Sequence, residues 1–430
     1  MIIENLRILE FSLLLIIAAF SIPIARKASI VEIPVLIFLG IIFGPVLGII
    51  RYSFSEELMT SFANFGIGIL GLMIILYYES HGINFRVLRR HLGRIISLNT
   101  VGMIITAFLS GILFSLFTGA PFIIGFLFGA IISPTDPATL IPLFHKIRIR
   151  EDYSGTLIGE SLFNDPLAII FVTLAIAIIA PQSTAVTLFL YLSGAIGFIP
   201  AIITFLLIQI IIPSIVGIVI GLLILYLNKI LNFENLIVGL LLGVIIFELT
   251  FLEALNITPF PAIIATGAII GNLSEKSIFY ERERSFQENL SFLAQGVIFI
   301  LMGSMLTIPD IENYWIIGIL MALVVLFLVR PIAVFASVFR IRKNNLSAPP
   351  LNRKIKTFFS LAGPRGVVSI VESTVPIAIG TTLGIPLLLR WGRTIEVSVA
   401  IVVILSIILQ TLYIPYIANK LLPKTADEKT

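Results

Sequence analysis

Cysteine is missing from all 430 residues, which excludes a disulfide framework, a thiol nucleophile and a cysteine-based metal centre. Histidine is nearly missing too. The three present, His81, His91 and His145, each sit beside basic residues near the end of an apolar stretch, so no zinc site is expected from them. Charge is scarce: Asp, Glu, Lys and Arg make up 12% of the chain against 58% hydrophobic residues, and mean hydropathy is +1.11. That composition leaves no room for a sizeable soluble domain. A small-residue cleavage site is lacking after the first apolar run, residues 8–24. It passes into Ala25-Arg26-Lys27 and a second run, and so reads as a retained helix rather than a removed leader.

What the chain has in quantity is apolar runs of membrane length, about 20 residues each. Thirteen are found, at approximately 6–25, 30–50, 60–79, 92–117, 121–145, 153–180, 200–228, 233–253, 258–274, 287–306, 312–339, 354–380 and 395–419. The stretch 184–200, with Gly194, Gly197 and Pro200, reads either as an interfacial segment or as a fourteenth span. The expected fold class is therefore an all-α polytopic membrane protein of about 13 transmembrane helices.

Cation placement orients it. With the N-terminus outside and the C-terminus cytoplasmic, 22 of the 28 Lys and Arg fall in inside loops and 4 in outside segments, leaving Arg330 and Arg365 within spans. This is the asymmetry of the positive-inside rule, and it weighs against a fourteenth span, which would reverse every later loop. The net charge of +4 is thus explained by topology, and no nucleic-acid partner is expected.

Two spans are interrupted: span 5 at Ser133-Pro134-Thr135-Asp136-Pro137, span 12 at Gly363-Pro364-Arg365-Gly366. They lie seven spans apart, an odd number, and so run in opposite directions. Such a pair in corresponding positions predicts inverted repeats whose broken helices cross near the midplane, at the substrate site of a transporter.

The interruptions carry the chemistry. A charge at membrane depth costs roughly 2.5–3.5 kcal/mol on insertion scales, yet SPTDPATLIP at 133–142 and GESLFNDP at 159–166 both place carboxylates there. Pro134 and Pro137 cannot donate to the carbonyls of Ala130 and Ser133, which are expected to be freed. With Thr135 and Asp136 they form a set of hard oxygens suited to Na⁺ or Li⁺. On span 6, Ser161 and Asp165 share one helix face and Glu160 and Asn164 the next. Pro166 is expected to free the carbonyl of Leu162 and to break this helix as well. Burial and a like-charged neighbour favour a protonated carboxyl, whereas a cation at the same oxygens favours the ionised form. Proton and cation then compete for one site, which predicts a carrier exchanging a small cation for protons. Arg330 is expected to neutralise Glu160, tying span 6 to span 11, with Arg365 as the rival partner. Glu79 reads either as interfacial or as a carboxylate lining the inward funnel. Glu248 and Glu253 read as interfacial, and Glu372 stays unassigned.

At these residues the chain resembles the monovalent cation–proton antiporters, specifically the NhaP-type sodium/proton antiporters of archaea and bacteria related to animal sodium/proton exchangers. The matching pieces are TDPA at 135–138, ESLFNDP at 160–166, RP at 330–331 and GPRGVV at 363–368, in the expected order across nearly the whole chain. Ser133 and Ser369-Ile370 depart from the family pattern without removing a ligand. The resemblance implies Na⁺ ligands at Thr135, Asp136, Ser161 and Asp165, with Glu79 a further match, and a stabilising pair of Glu160 and Arg330. Asn164-Asp165 resembles the electroneutral branch, whose electrogenic relatives have two adjacent Asp. Also implied are a homodimer, a dimerisation region of spans 1–2 and 7–9 (approximately 1–50 and 185–275), and a moving core of spans 3–6 and 10–13 (approximately 60–180 and 287–425). No cofactor and no enzymatic activity are expected, and the short tail is not expected to form the large regulatory domain of the animal exchangers. The implied partners are Na⁺ or Li⁺, H⁺ and the bilayer of the cell membrane, in the service of pH homeostasis. An intramembrane aspartyl protease would want a Gly-x-Gly-Asp or Tyr-Asp context, and a channel a continuous pore. A K⁺/H⁺ antiporter is the closest rival, since oxygen ligands alone do not separate K⁺ from Na⁺.

Overall fold

A computed structural model describes residues 2–28, 32–60, 67–136, 144, 147, 149–183, 187–231, 236–274, 278–338 and 352–422. Among these, every regular element is a helix: α1 (Ile2–Ala28), α2 (Glu32–Val46), α3 (Tyr52–Thr60), α4 (Ile67–His81), α5 (Phe85–Thr118), α6 (Phe122–Ile132), α7 (Glu151–Ile179), α8 (Thr187–Ile196), α9 (Phe198–Leu231), α10 (Ile237–Ala254), α11 (Phe260–Leu273), α12 (Ile278–Met305), α13 (Ile308–Ser337), α14 (Arg353–Leu361), α15 (Val367–Leu383) and α16 (Pro386–Leu421). Helix is what an apolar solvent demands, because it satisfies each backbone N–H and C=O within the segment. Six of them, α5, α7, α9, α12, α13 and α16, are long and apolar enough to cross a membrane. The chain is an all-α polytopic membrane protein.

The helices follow the thirteen predicted spans with four differences. First, α3 occupies a stretch read as a loop. Second, α5 starts at Phe85, where Asn84 caps the N–H of Arg86 at 2.9 Å. Third, residues 187–196 form a separate ten-residue helix, α8. It doubles back beside α9, with Phe189 edge-on to Phe198 and Phe205 at 5.9 and 5.6 Å. At a rise of about 15 Å it is half as long as the hydrocarbon is thick. Fourth, α7 runs unbroken from Glu151 to Ile179 with Pro166 inside it. The expected break in span 6 is therefore absent, since a helix buried among neighbours tolerates proline.

The two interruptions on spans 5 and 12 are present. After α6 the chain leaves the helix at residues 133–136, and Pro137 and Ala138 lie outside the described residues, as do His145, Lys146 and Arg148. On the other side α14 and α15 are separated by residues 362–366. The two breaks meet: the Asp136 N–H donates to the Pro364 carbonyl at 2.8 Å, and Arg365 Nη1 donates to the carbonyls of Ser133 and Pro134 at 2.7 and 3.0 Å. This is the crossing that inverted repeats predict.

Close helix approach fixes the crossing in place. A Cβ on Gly125 of α6 would lie 2.2 Å from the Gly111 carbonyl oxygen of α5, and one on Gly129 would lie 1.9 Å from that of Ala107. Only bare backbone allows that contact, which is how membrane helices pack when apolar side chains gain nothing by leaving lipid. Around the crossing Leu72, Leu76, Phe128, Ile131, Ala168, Val172, Ile298, Val399 and Val403 are fully or almost fully buried. Ile203, Leu207, Ile211 and Ile215 of α9 face outward, as lipid-facing positions should.

Candidate cation site

Proline and serine together shape the first break. Pro134 removes the N–H that would have reached Ala130, but the Ser133 hydroxyl folds back and donates to the Ala130 carbonyl at 2.8 Å. The Ser133 and Pro134 carbonyls accept from Arg365. The carbonyls of Ala130 and Ser133 expected to be freed as ligands are thus both occupied, one by a local hydroxyl and one by a guanidinium from the other repeat. What the first break presents is side-chain oxygen, from Thr135 and Asp136, both buried.

Helix α7 delivers Asp165 on one face and Asn164 and Glu160, one turn apart, on the next. Asp165 turns into a narrow cavity lined by Glu79, Pro134, Thr135, Asp136, Asp165, Gly366, Val367 and Val368. Asn164 Nδ2 donates to Thr135 Oγ1 at 2.8 Å, locking the threonine of the break onto α7. Glu160 turns away to Arg330, which donates from both Nη atoms, at 2.8 Å for Nη2 to Oε2. Ser161, one turn before Asp165, is buried, but the described cavity lining does not include it. Glu79, half-buried near the end of α4, brings a third carboxyl into the same cavity.

Arg330 follows a widened π-helical turn, Val325–Val329, in α13, a feature that often re-aims a functional side chain. Its bidentate contact with Glu160 is a strong form of ion pair. Arg365, weighed as the rival partner, instead holds the first break by its carbonyls.

Three site-supporting residues escaped the sequence reading, all on one face of α16. The Ser406 hydroxyl accepts the Arg365 N–H at 3.0 Å, Gln410 Oε1 accepts the Gly363 N–H at 2.8 Å, and the Tyr413 hydroxyl donates to the Leu361 carbonyl at 2.8 Å. The signal was available: polar residues spaced 406, 410 and 413 within an apolar span keep one helical face. Glu248 also differs from expectation. It is fully buried rather than interfacial, and is hydrogen-bonded with the Thr266 hydroxyl of α11, which lies 3.0 Å from the Gly217 carbonyl of α9. Glu253 is exposed at the end of α10, and Glu372 is buried in α15. His81 stacks on Tyr280 at 5.1 Å and approaches Glu283 at 3.1 Å, joining α4 to α12.

Two helix breaks crossing beside a cluster of carboxyls are the geometry of an ion carrier, and comparison with known proteins agrees. The model of the transmembrane sodium/hydrogen exchanger family matches residues 13–420. The chain belongs to the sodium/hydrogen exchanger family. Across the exchanger, Na(+)/H(+) antiporter 1 of Methanocaldococcus jannaschii is 31% identical, with 97% of each chain covered. The solved structure of the sodium proton antiporter MjNhaP1 from the same organism superposes with a TM-score of 0.85 at 28% identity, covering 98% of this exchanger and 100% of that chain. A K(+)/H(+) antiporter NhaP of Alkalimonas amylolytica is 26% identical, over 86% of the exchanger and 60% of the relative.

Proposed function

We propose that this exchanger is a secondary active antiporter that trades Na⁺ or Li⁺ for H⁺, one for one, across the cell membrane. The observation that carries the reading is the convergence of Glu79, Asp136 and Asp165 on one narrow cavity between the crossing breaks. Three carboxyls in one buried space cannot all be ionised without a counter-charge, because like charges there repel with little screening. A bare cation or added protons relieve the repulsion alternately, and that competition couples the two fluxes. Thr135, Asp136, Ser161 and Asp165 are the proposed cation ligands, Glu79 the further titratable group. Glu160 and Arg330 neutralise each other beside them and hold α7 to α13.

In this reading the core, approximately 60–180 and 287–425, carries the site past a scaffold of approximately 1–50 and 185–275 that pairs two copies. The N-terminus lies outside and the C-terminus in the cytoplasm, with no cofactor and no enzymatic step. The K⁺/H⁺ relatives support one second reading, K⁺ in place of Na⁺ on the same ligands. Purified exchanger in proteoliposomes separates the two. Under an imposed pH gradient, Na⁺ or Li⁺ should collapse the signal of an internal pH dye at concentrations where K⁺ does not. A K⁺ response equal to that of Na⁺ selects the second reading, and no response to any of the three ions removes both.

A further inference from the structure

We infer that Gly366 is a positioning residue for Asp136 and, through it, sets which cation the site accepts; this rests on the antiport reading above. A Cβ on Gly366 would lie 2.0 Å from Asp136 Oδ2, 2.2 Å from its Cβ and 2.5 Å from its Cγ, where real contacts stay above 3.0 Å. The carboxylate therefore sits in space that any side chain at 366 would fill. Backbone conformation does not demand glycine here, because φ is −136°, an angle other residues adopt. The missing side chain is a matter of room.

Both sides of this seat are anchored. Asp136 is fixed by its N–H bond to the Pro364 carbonyl at 2.8 Å and by the hold of Arg365 on the two preceding carbonyls. The second break is fixed in turn by Ser406 at 3.0 Å and Gln410 at 2.8 Å. A methyl at 366 would meet the Asp136 Cβ as well as its carboxylate, and no side-chain rotation moves a Cβ, so the strain falls on the hydrogen bonds that join the two breaks and displaces Asp136 from its place beside Glu79 and Asp165. A displaced ligand changes which cation the cage of hard oxygens fits, since cavity size and rigidity discriminate between ions of such ligand preference.

The test is Gly366→Ala in proteoliposomes, with apparent KM and maximal rate measured for Li⁺, Na⁺ and K⁺. The expected result is a rise in KM for Na⁺ of roughly 10–100-fold, the range found when a residue that orients a metal ligand is altered. The rise for Li⁺ differs in size, so the ratio of the two KM values changes. A folded variant with the wild-type KM ratio overturns the inference, while wild type that moves no cation overturns the antiport reading instead. Should Gly366→Ala give no folded protein, Asp136→Gly combined with Gly366→Ala decides. With the seat emptied, the alanine should be accommodated and the yield and melting temperature should match those of Asp136→Gly alone. Failure of the double variant to recover overturns the seat.

Discussion

The two breaks that meet at the centre of the molecule both leave the helix and differ in chemistry. Residues 133–136 bring a hydroxyl and a carboxylate, Thr135 and Asp136, into the cavity. Residues 363–366 bring neither. They offer a carbonyl to Asp136, a guanidinium to the backbone ahead of it, and a glycine in van der Waals contact with its side chain. Their anchorage differs too. The second break hangs from Ser406 and Gln410 of α16, whereas the first is held by the second break and by Asn164. An inverted repeat needs both breaks to make a crossing, but a cation needs only one set of ligands. In the proposed reading the halves divide the labour: one supplies the cation ligands, and the other positions them.

The sharpest way to break that division is to neutralise the carboxylates. Asp136→Asn and Asp165→Asn should each abolish exchange while leaving the protein folded, because each keeps its shape and loses its titratable oxygen. Vesicles of either variant that retain wild-type Na⁺-dependent pH recovery would remove these residues from the site. No substitution in the second break should do the same without also disturbing Asp136.

Next in size is Arg330→Ala, which leaves the Glu160 carboxylate buried without its bidentate partner. Removing one member of a buried pair costs about 3–5 kcal/mol, read as a lower melting temperature in detergent. Adding Glu160→Gln should restore part of the loss, since the stranded charge is then gone. Arg365→Gln should cost less, about 1–3 kcal/mol for carbonyls left without a donor. Its larger effect should be on cation affinity, because it releases the first break from the second. Should Arg330→Ala melt like wild type while Arg365→Gln collapses, the two arginines have exchanged roles.

The sequence carried the outline of this arrangement because its signals are local. Apolar length locates the helices, and proline beside glycine locates the breaks. Carboxylates beside those breaks at membrane depth point to the proposed site, since a charge there is costly. What it could not carry depends on a third dimension. Pro134 announces that a carbonyl is freed, but whether Ser133 or an ion takes it is decided by a rotamer. Pro166 looks like Pro134 in the sequence, yet α7 continues through it, because its neighbours permit what solvent would not. Glu248 sits near the end of an apolar run and reads as interfacial, until the packing of α10 on α11 turns that face inward. Gly366 is the extreme case. A glycine after a break is ordinary punctuation, and only the position of Asp136 reveals why nothing larger stands there.

The smallest expected effect is none at all, and it tests whether the shared carboxyls exchange one proton for each cation while the second break adds nothing to the count. Arg365 is always charged, but a fixed charge that crosses with the loaded site and returns with the protonated one cancels over the cycle. Glu160 and Arg330 cancel each other in both directions, and Asn164 is neutral. Only the exchange of cation for proton at the shared carboxyls then remains, and one Na⁺ for one H⁺ moves no net charge. The measurement is the pH gradient that just balances a fixed Na⁺ gradient in proteoliposomes. It is taken with the membrane potential clamped at zero and again at about −100 mV with potassium and valinomycin, where each uncompensated charge is worth about 2.3 kcal/mol. The balance point should stay where it is. A displacement of the size set by one charge per cycle would mean that a second proton, with Glu79 the first group to examine, travels with each cation exchanged.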